Sequence, residues 1–252
     1  MFAALQRQMI YYPTVAGEGE LLKEAARVGL RPWRDGEGAL IGLRAASSGN
    51  ARRRMLDFHG NAGFALHREY YVAGLEALDV GWEVYLFEYP GYGARPGSPS
   101  EGSIKSAARR AFELLLGDDD RPVYLLGESL GSGVATYLAA AFPGQVAGML
   151  LVTPFSSLPD VAAHHFRLLP ARALLSERYD SMKALSDYRG PVAFLLAGRD
   201  EVVPTELGQR LHDHYTGPRW LRVIPGAGHN SLPMHRGADW WQDASAFLLE
   251  HR

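Results

Sequence analysis

The sequence predicts an α/β domain whose central sheet is mostly parallel and covered by helices on both faces. Three observations carry that prediction. Short apolar runs of strand length alternate with stretches of helical periodicity along nearly the whole chain. The runs are continuously apolar, as strands buried on both faces require. A chain of 252 residues, 47% of them hydrophobic, is long enough for one sizeable core.

Residues Met1 to Pro13 place Phe2, Leu5 and Met9 at near-helical spacing, which predicts a short helix docked on the body. A weak membrane-surface contact is the alternative for that helix. Segments near Ala26–Trp33 and Ala39–Leu43 predict an antiparallel pair around the turn Asp35-Gly36-Glu37-Gly38. Met55–Phe58 is a third strand that ends in His59-Gly60-Asn61-Ala62-Gly63. A helix follows from about Arg68 to Leu78, with Tyr71, Leu75 and Leu78 on one face. Trp82–Tyr89 is the next strand, closed by Pro90-Gly91-Tyr92-Gly93. Ser100 is placed to cap a helix running to Leu116, whose buried stripe is Ile104, Ala108, Phe112 and Leu115. Asp118-Asp119-Asp120 is a solvated charge run rather than a metal site.

The strand Val123–Leu126 then leads through Gly127-Glu128-Ser129-Leu130-Gly131 into an alanine-rich helix, Val134–Phe142. Gln145–Thr153 is another buried strand. From Pro154 to Tyr188 the alternation lapses into short apolar helices punctuated by Pro159 and Pro170, an insertion suited to cap a pocket. After it come a strand, Val192–Ala197, the loop Gly198-Arg199-Asp200-Glu201 and a helix, Thr205–Tyr215. A last strand, Trp220–Ile224, the loop Gly226-Ala227-Gly228-His229-Asn230 and a helix, Gly237–His251, complete the chain. Residues 1–252 are thus expected to form one domain, with 154–188 as a small cap.

Composition narrows the chemistry. A formal net charge of −2 offers no electrostatic reason to expect a nucleic-acid partner. The absence of cysteine removes disulfides, thiol catalysis and thiolate metal sites together. The pairs His164-His165 and His212/His214 lack the spacing and carboxylate partners of a helical zinc site, so neither metal nor cofactor is expected. No run of 18 apolar residues is present, and Gln6, Arg7 and Gln8 break the N-terminal apolar stretch, so the expected location is cytoplasmic.

The G-x-S-x-G spacing has a mechanical reason. A serine held in a tight strand-to-helix turn needs residues without side chains two positions away on either side, or strand and helix collide. The helix that begins there aims free N–H groups toward an oxyanion formed nearby. In a parallel sheet the loops after the strand C-termini gather on one edge. Here those loops offer His59-Gly60-Asn61, Ser129, Asp200 and His229. A serine hydroxyl needs a base to take its proton, and a carboxylate to hold that base in the right tautomer. The order Ser129, Asp200, His229 is nucleophile, acid, base.

These residues resemble the serine α/β-hydrolase superfamily over roughly Met9 to Leu249. The segments LQRQMIYYP, FHGNAG, FEYPGYG, GESLGSG, TPFSSL, AGRDEVVP and GAGHN resemble a small-capped subgroup that includes depalmitoylating and BEM46-like hydrolases. Members of that subgroup often carry an apolar or acylated N-terminal anchor, for which this sequence has neither the span nor a cysteine. The resemblance implies an α/β-hydrolase fold and a site in which Ser129 is nucleophile, His229 general base and Asp200 its orienting acid. It further implies an oxyanion hole from the backbone N–H groups of Asn61 and Leu130. Glu201 and Asp160 are rivals for the acid. His59 is expected to brace its loop, Glu88 and Arg95 to form a salt bridge, and Glu128 has no assigned role.

The expected activity is cofactor-free hydrolysis of small carboxylic esters or thioesters through an acyl-enzyme on Ser129. The alternatives are an amidase or peptidase with the same three residues, and a non-catalytic binding protein on the same fold. Val161, Phe166, Leu168, Leu169, Leu174 and Leu175 in the cap suggest an apolar acyl or alcohol pocket, or else pack the cap itself.

Overall fold

A computed structural model describes residues 2–46 and 50–251; the side chains of residues 2–4, Phe2 among them, lie outside that description. The chain opens with helix α1 (Phe2–Ile10), a two-residue strand β1 (Tyr12–Pro13) and helix α2 (Glu18–Arg27). Strands β2 (Leu30–Arg34) and β3 (Leu40–Ala45) form the antiparallel pair. Strand β4 (Arg53–Phe58) is followed by the short β5 (Ala62–Gly63), which pairs with β1, a 3-10 turn (Ala65–Arg68) and α3 (Glu69–Glu76). Next come β6 (Trp82–Phe87), α4 (Glu101–Asp118), β7 (Val123–Glu128), α5 (Leu130–Ala141) and β8 (Val146–Val152). Three short helices, α6 (Leu158–His165), α7 (Ala171–Leu174) and α8 (Ser181–Leu185), occupy the inserted segment. The chain ends with β9 (Val192–Ala197), α9 (Thr205–His214), β10 (Arg219–Ile224) and α10 (Trp240–Glu250).

The main sheet has eight strands in the order β10-β9-β8-β7-β4-β6-β3-β2. All neighbours are parallel except β3 against β6 and β2 against β3. Strands β4, β6, β7, β8 and β9 are almost wholly buried, which is why they are mostly apolar, with Arg54 and Asp57 of β4 and Glu83 of β6 as the buried charged exceptions among them. On one face α3 meets α10 through Tyr71 against the edge of Trp241, and Trp82 Nε1 donates to Ser245 Oγ of α10 at 3.1 Å. On the other face α5 packs on β7 and against α4, where Phe112 lies 4.8 Å from Phe142. The capping of α4 is reciprocal. Ser103 N–H donates to Ser100 Oγ at 3.0 Å, and Ser100 N–H donates to Ser103 Oγ at 2.9 Å. The stripe Ile104, Ala108, Phe112 and Leu115 is buried, as its spacing predicts.

Two expectations at the N-terminus are corrected. The segment expected to begin a strand at Ala26 is instead the end of α2, whose buried face is only Leu21 and Ala25. Glu18 and Glu20 sit at its positive end, and Gly29 turns the chain at a φ of 77° into β2. Pro32 is accommodated because β2 is an edge strand, where a residue without an N–H is tolerated. In α1, Leu5 and Met9 do not dock on the body: they are 57% and 55% exposed. That helix is held by polar contacts described below.

Candidate active site

The chain leaves β4 for β6 on one side and leaves β7 for β8 on the other, although β4 and β7 are neighbours. Such a divergence opens a crevice at the C-terminal ends of the two strands. Ser129 stands there, between β7 and α5, with φ 51° and ψ −116°. A side chain in that conformation is strained, and the surrounding contacts hold it. Ser129 N–H donates to Val152 O at 2.9 Å, while Ser132 Oγ donates to Ser129 O at 2.6 Å. The flanking glycines are sterically required. A Cβ on Gly131 would lie 1.8 Å from Phe58 O, and one on Gly127 would lie 2.6 Å from Gly131 O. Glycine at 131 therefore lets α5 approach the end of β4, and glycine at 127 lets the end of β7 pass the first turn of α5.

Loops after β9 and β10 bring two further groups to the serine. His229 Nδ1 is 2.7 Å from Asp200 Oδ2, and His229 Nε2 is 3.1 Å from Ser129 Oγ. The Asp200 side chain is 2% exposed and that of His229 11%. Asp200 Oδ1 accepts the N–H groups of Val202 and Val203 at 2.9 and 2.7 Å, so the carboxylate is fixed from its other side. With the Nδ1 proton directed at Asp200, Nε2 is left to accept from the Ser129 hydroxyl. Neither rival acid bonds the imidazole. Asp160 accepts from Ser156 Oγ at 2.7 Å and from Arg172 Nε at 2.9 Å within the cap, and Glu201 is exposed.

Asn61 and Leu130 flank the serine. Asn61 O accepts from Tyr12 N–H and from the Tyr92 hydroxyl at 2.9 and 2.8 Å, and Asn61 Nδ2 donates to Ile10 O at 2.7 Å. The turn carrying it is thus pinned to the N-terminal segment. Leu130 is the first residue of α5, where an N–H has no partner inside the helix.

His59 braces this loop through one backbone and one carboxylate contact. Its ring nitrogens lie 2.7 Å from Gly60 O and 3.2 Å from Glu88 Oε1, and its ring packs against that of Tyr89 at 4.0 Å with a tilt of 37°. The expected Glu88–Arg95 ion pair is not formed. Arg95 Nη1 donates to the Glu88 backbone carbonyl at 2.6 Å and lies over the Phe87 ring, because the Glu88 carboxylate turns inward to His59 and Ala65 N–H. Glu128 has a partner set that sequence reasoning missed: Arg68 in a bidentate pair at 2.9 and 2.8 Å, with the Tyr70 and Tyr71 hydroxyls at 2.9 and 3.0 Å. Burial pushes this carboxyl upward, but the Arg68 charge and these hydrogen bonds outweigh it and hold Glu128 below the usual range. Its anchor stands directly beside Ser129. The arginine after the FHGNAG loop was the only signal for it.

The group opens into an apolar cleft of about 410 Å³, bounded by Asn61, Ser129 and Leu130 at the base and by cap and α1 side chains above. That volume lies within the usual range for small-molecule sites. Val161, Phe166, Leu169, Leu174 and Leu175 line it as expected; Leu168 does not, and is 99% exposed. Leu5 and Met9 of α1 supply the facing wall. A larger hollow, of about 750 Å³, lies at the opposite edge of the sheet, but its Arg54 and Arg121 are engaged by Asp119 and backbone carbonyls, and it does not reach Ser129. Among the described residues no three His, Asp or Glu side chains converge as a metal site, and no helix is long and apolar enough to cross a membrane.

The wall formed by α1 is tied to the cap. Buried Glu177 accepts from Arg7 Nε at 2.9 Å, from the Tyr11 hydroxyl at 2.5 Å and from Glu101 N–H. Gln6 Nε2 donates to Leu174 O at 2.8 Å, and Gln6 Oε1 accepts from Ser176. Burial, together with Tyr179 and Glu177, pushes the Tyr11 hydroxyl far up, so it remains a donor.

Known proteins align with this architecture. A family model described as the alpha/beta hydrolase fold matches residues 54–180. An uncharacterised protein of Mycobacterium tuberculosis is 34% identical over 97% of this chain and 88% of its own length. The lysophosphatidylserine lipase ABHD12 of Danio rerio is 30% identical, covering 72% of this chain and 52% of that protein. Among solved structures, the Pyrococcus furiosus esterase Pf2001 superposes with a TM-score of 0.70 at 15% identity, over 96% of this chain and 98% of that one. The chain belongs to the α/β-hydrolase fold family.

Proposed function

We propose that this protein is a serine hydrolase that cleaves carboxylic esters or thioesters of apolar acyl groups. The observation that carries the reading is the hydrogen-bonded row Asp200–His229–Ser129, 2.7 and 3.1 Å, at the base of an apolar cleft. Ser129 Oγ attacks the acyl carbonyl as His229 Nε2 takes its proton. The resulting oxyanion is held by the backbone N–H groups of Leu130 and Asn61. His229 returns the proton to the leaving alkoxide or thiolate, and the acyl group stays on Ser129. Water, deprotonated by His229, then attacks the acyl-enzyme; the acid leaves and the proton returns to Ser129. Asp200 keeps the imidazole oriented and stabilises its charged form. The names of the zebrafish lipase and the Pyrococcus esterase support an ester over an amide.

A fluorophosphonate probe tests the reading. It should label the parent protein and leave Ser129→Ala unlabelled, with hydrolysis of p-nitrophenyl esters falling by at least about 10³-fold. Labelling that survives the substitution, or a parent protein that neither labels nor hydrolyses, removes the reading; the latter favours a binding protein. Preference for aminoacyl anilides over esters would favour an amidase.

A further inference from the structure

Exposed apolar surface on this protein is concentrated in one place. Leu5, Met9, Phe166, Leu169, Leu174 and Val202 are all exposed large hydrophobic side chains, and all border the mouth of the cleft. Leu168, between two of them, is 99% exposed and touches neither core nor cleft, so neither packing nor substrate contact accounts for it. Soluble surfaces do not normally gather apolar groups in this way, and a polar-rimmed patch marks a contact site.

The same rim is basic. Helix α1 and residues 158–178 carry Arg7, Arg167, Arg172 and Arg178 against two acids, Asp160 and Glu177, with exposed Glu201 beside Val202 as a further acid at the rim, in a chain whose formal charge is −2. The first two acids turn inward: Glu177 is buried beneath Arg7 and Tyr11, and Asp160 is bonded to Ser156 and Arg172. The arginine side chains that pair with them stay 46% and 65% exposed. An apolar ring with outward arginines has the composition of an interfacial anchor.

We propose that this collar is a docking face for an anionic lipid surface. The apolar rim enters the boundary of the acyl chains while the arginines meet headgroup charge, so that the cleft opens onto lipid. An acyl ester would then reach Ser129 without crossing water, a consequence that rests on the esterase reading; the docking itself does not. A second copy of the chain is a poorer occupant, because two basic rims would face each other.

Co-sedimentation with vesicles tests this. The protein should pellet with vesicles of equal parts phosphatidylcholine and phosphatidylglycerol, bind phosphatidylcholine alone weakly, and release as salt rises. Leu168→Glu and Arg167→Glu should each cut binding at least about tenfold. Turnover of a soluble short-chain ester by Leu168→Glu should stay at the parent level, which shows that the fold is intact. Ser129→Ala should pellet like the parent while losing turnover, so the two readings fail separately. A parent protein that stays in the supernatant with both vesicle types overturns the docking, as does Leu168→Glu that pellets like the parent. A dimer in sedimentation velocity that Leu168→Glu splits would assign the face to a second copy instead.

Discussion

Asp57, on β4, is fully buried, and neither of its carboxylate oxygens has a hydrogen-bond partner among the described residues. Burial pushes its carboxyl well above the usual range; the Glu128 charge adds to that and Arg68 opposes it. The folded protein therefore holds Asp57 neutral, while the unfolded chain ionises it from about pH 4. The stability this group contributes is complete below that pH and is lost as pH rises, at up to about 1.4 kcal/mol per unit. Asp57→Asn cannot ionise and should lose that slope. As pH rises above the usual carboxylate range, urea unfolding is expected to shift the difference between variant and parent in the variant's favour. A difference that does not move with pH would refute the assignment. Glu128 runs the other way: held low by Arg68, its contribution is present above the usual carboxylate range and lost in acid. Two carboxyls on adjacent strands thus differ because Arg68 and two tyrosine hydroxyls bond directly to Glu128, whereas neither oxygen of Asp57 is bonded among the described residues.

At the scale of elements, the cleft above Ser129 is built from parts that do not share a secondary structure. Its base is the end of the sheet, and its walls are α1 and the cap, joined through Glu177. Substituting Glu177→Gln leaves Arg7, Tyr11 and Glu101 N–H sharing one neutral acceptor. Hydrogen bonds to a charged group are worth about 1.5–3 kcal/mol, so a loss of about 2 kcal/mol, roughly 4–8 °C in Tm for a chain of this size, is expected by calorimetry. The Asp200–His229–Ser129 row is untouched, so under the proposed function KM for longer acyl esters should rise several-fold while kcat for a short soluble ester holds. An equal fall in kcat for every ester would show that the clasp acts on the chemistry rather than on the wall.

For the whole molecule, the sheet and the convergence of Ser129, Asp200 and His229 were legible because each imposes a pattern along the chain. Buried parallel strands are mostly apolar, and α5 can meet the end of β7 across Gly127 and the end of β4 across Gly131 only because both are glycine. Helix α2 was not legible, since its buried face is two residues among charges. Nor were the contacts of Glu177 and Glu128, which join side chains lying 170 and 60 positions apart with no local periodicity. The outward turn of Leu5, Met9 and Leu168 was equally hidden, because an apolar residue facing solvent leaves the same letter as one facing the core.

The tie between Arg7 and Glu177 also bears on how the protein reaches its native state. Those residues are separated by most of the strands of the sheet, and a loop of that length is costly to close until the intervening chain has collapsed. Maturation should accordingly be ordered, with a scaffold first and a finished mouth afterwards. In refolding from urea, tryptophan fluorescence from the core is expected to recover before hydrolysis of a long-chain ester does. Simultaneous recovery would mean that the first and last thirds of the chain find each other before the middle has folded.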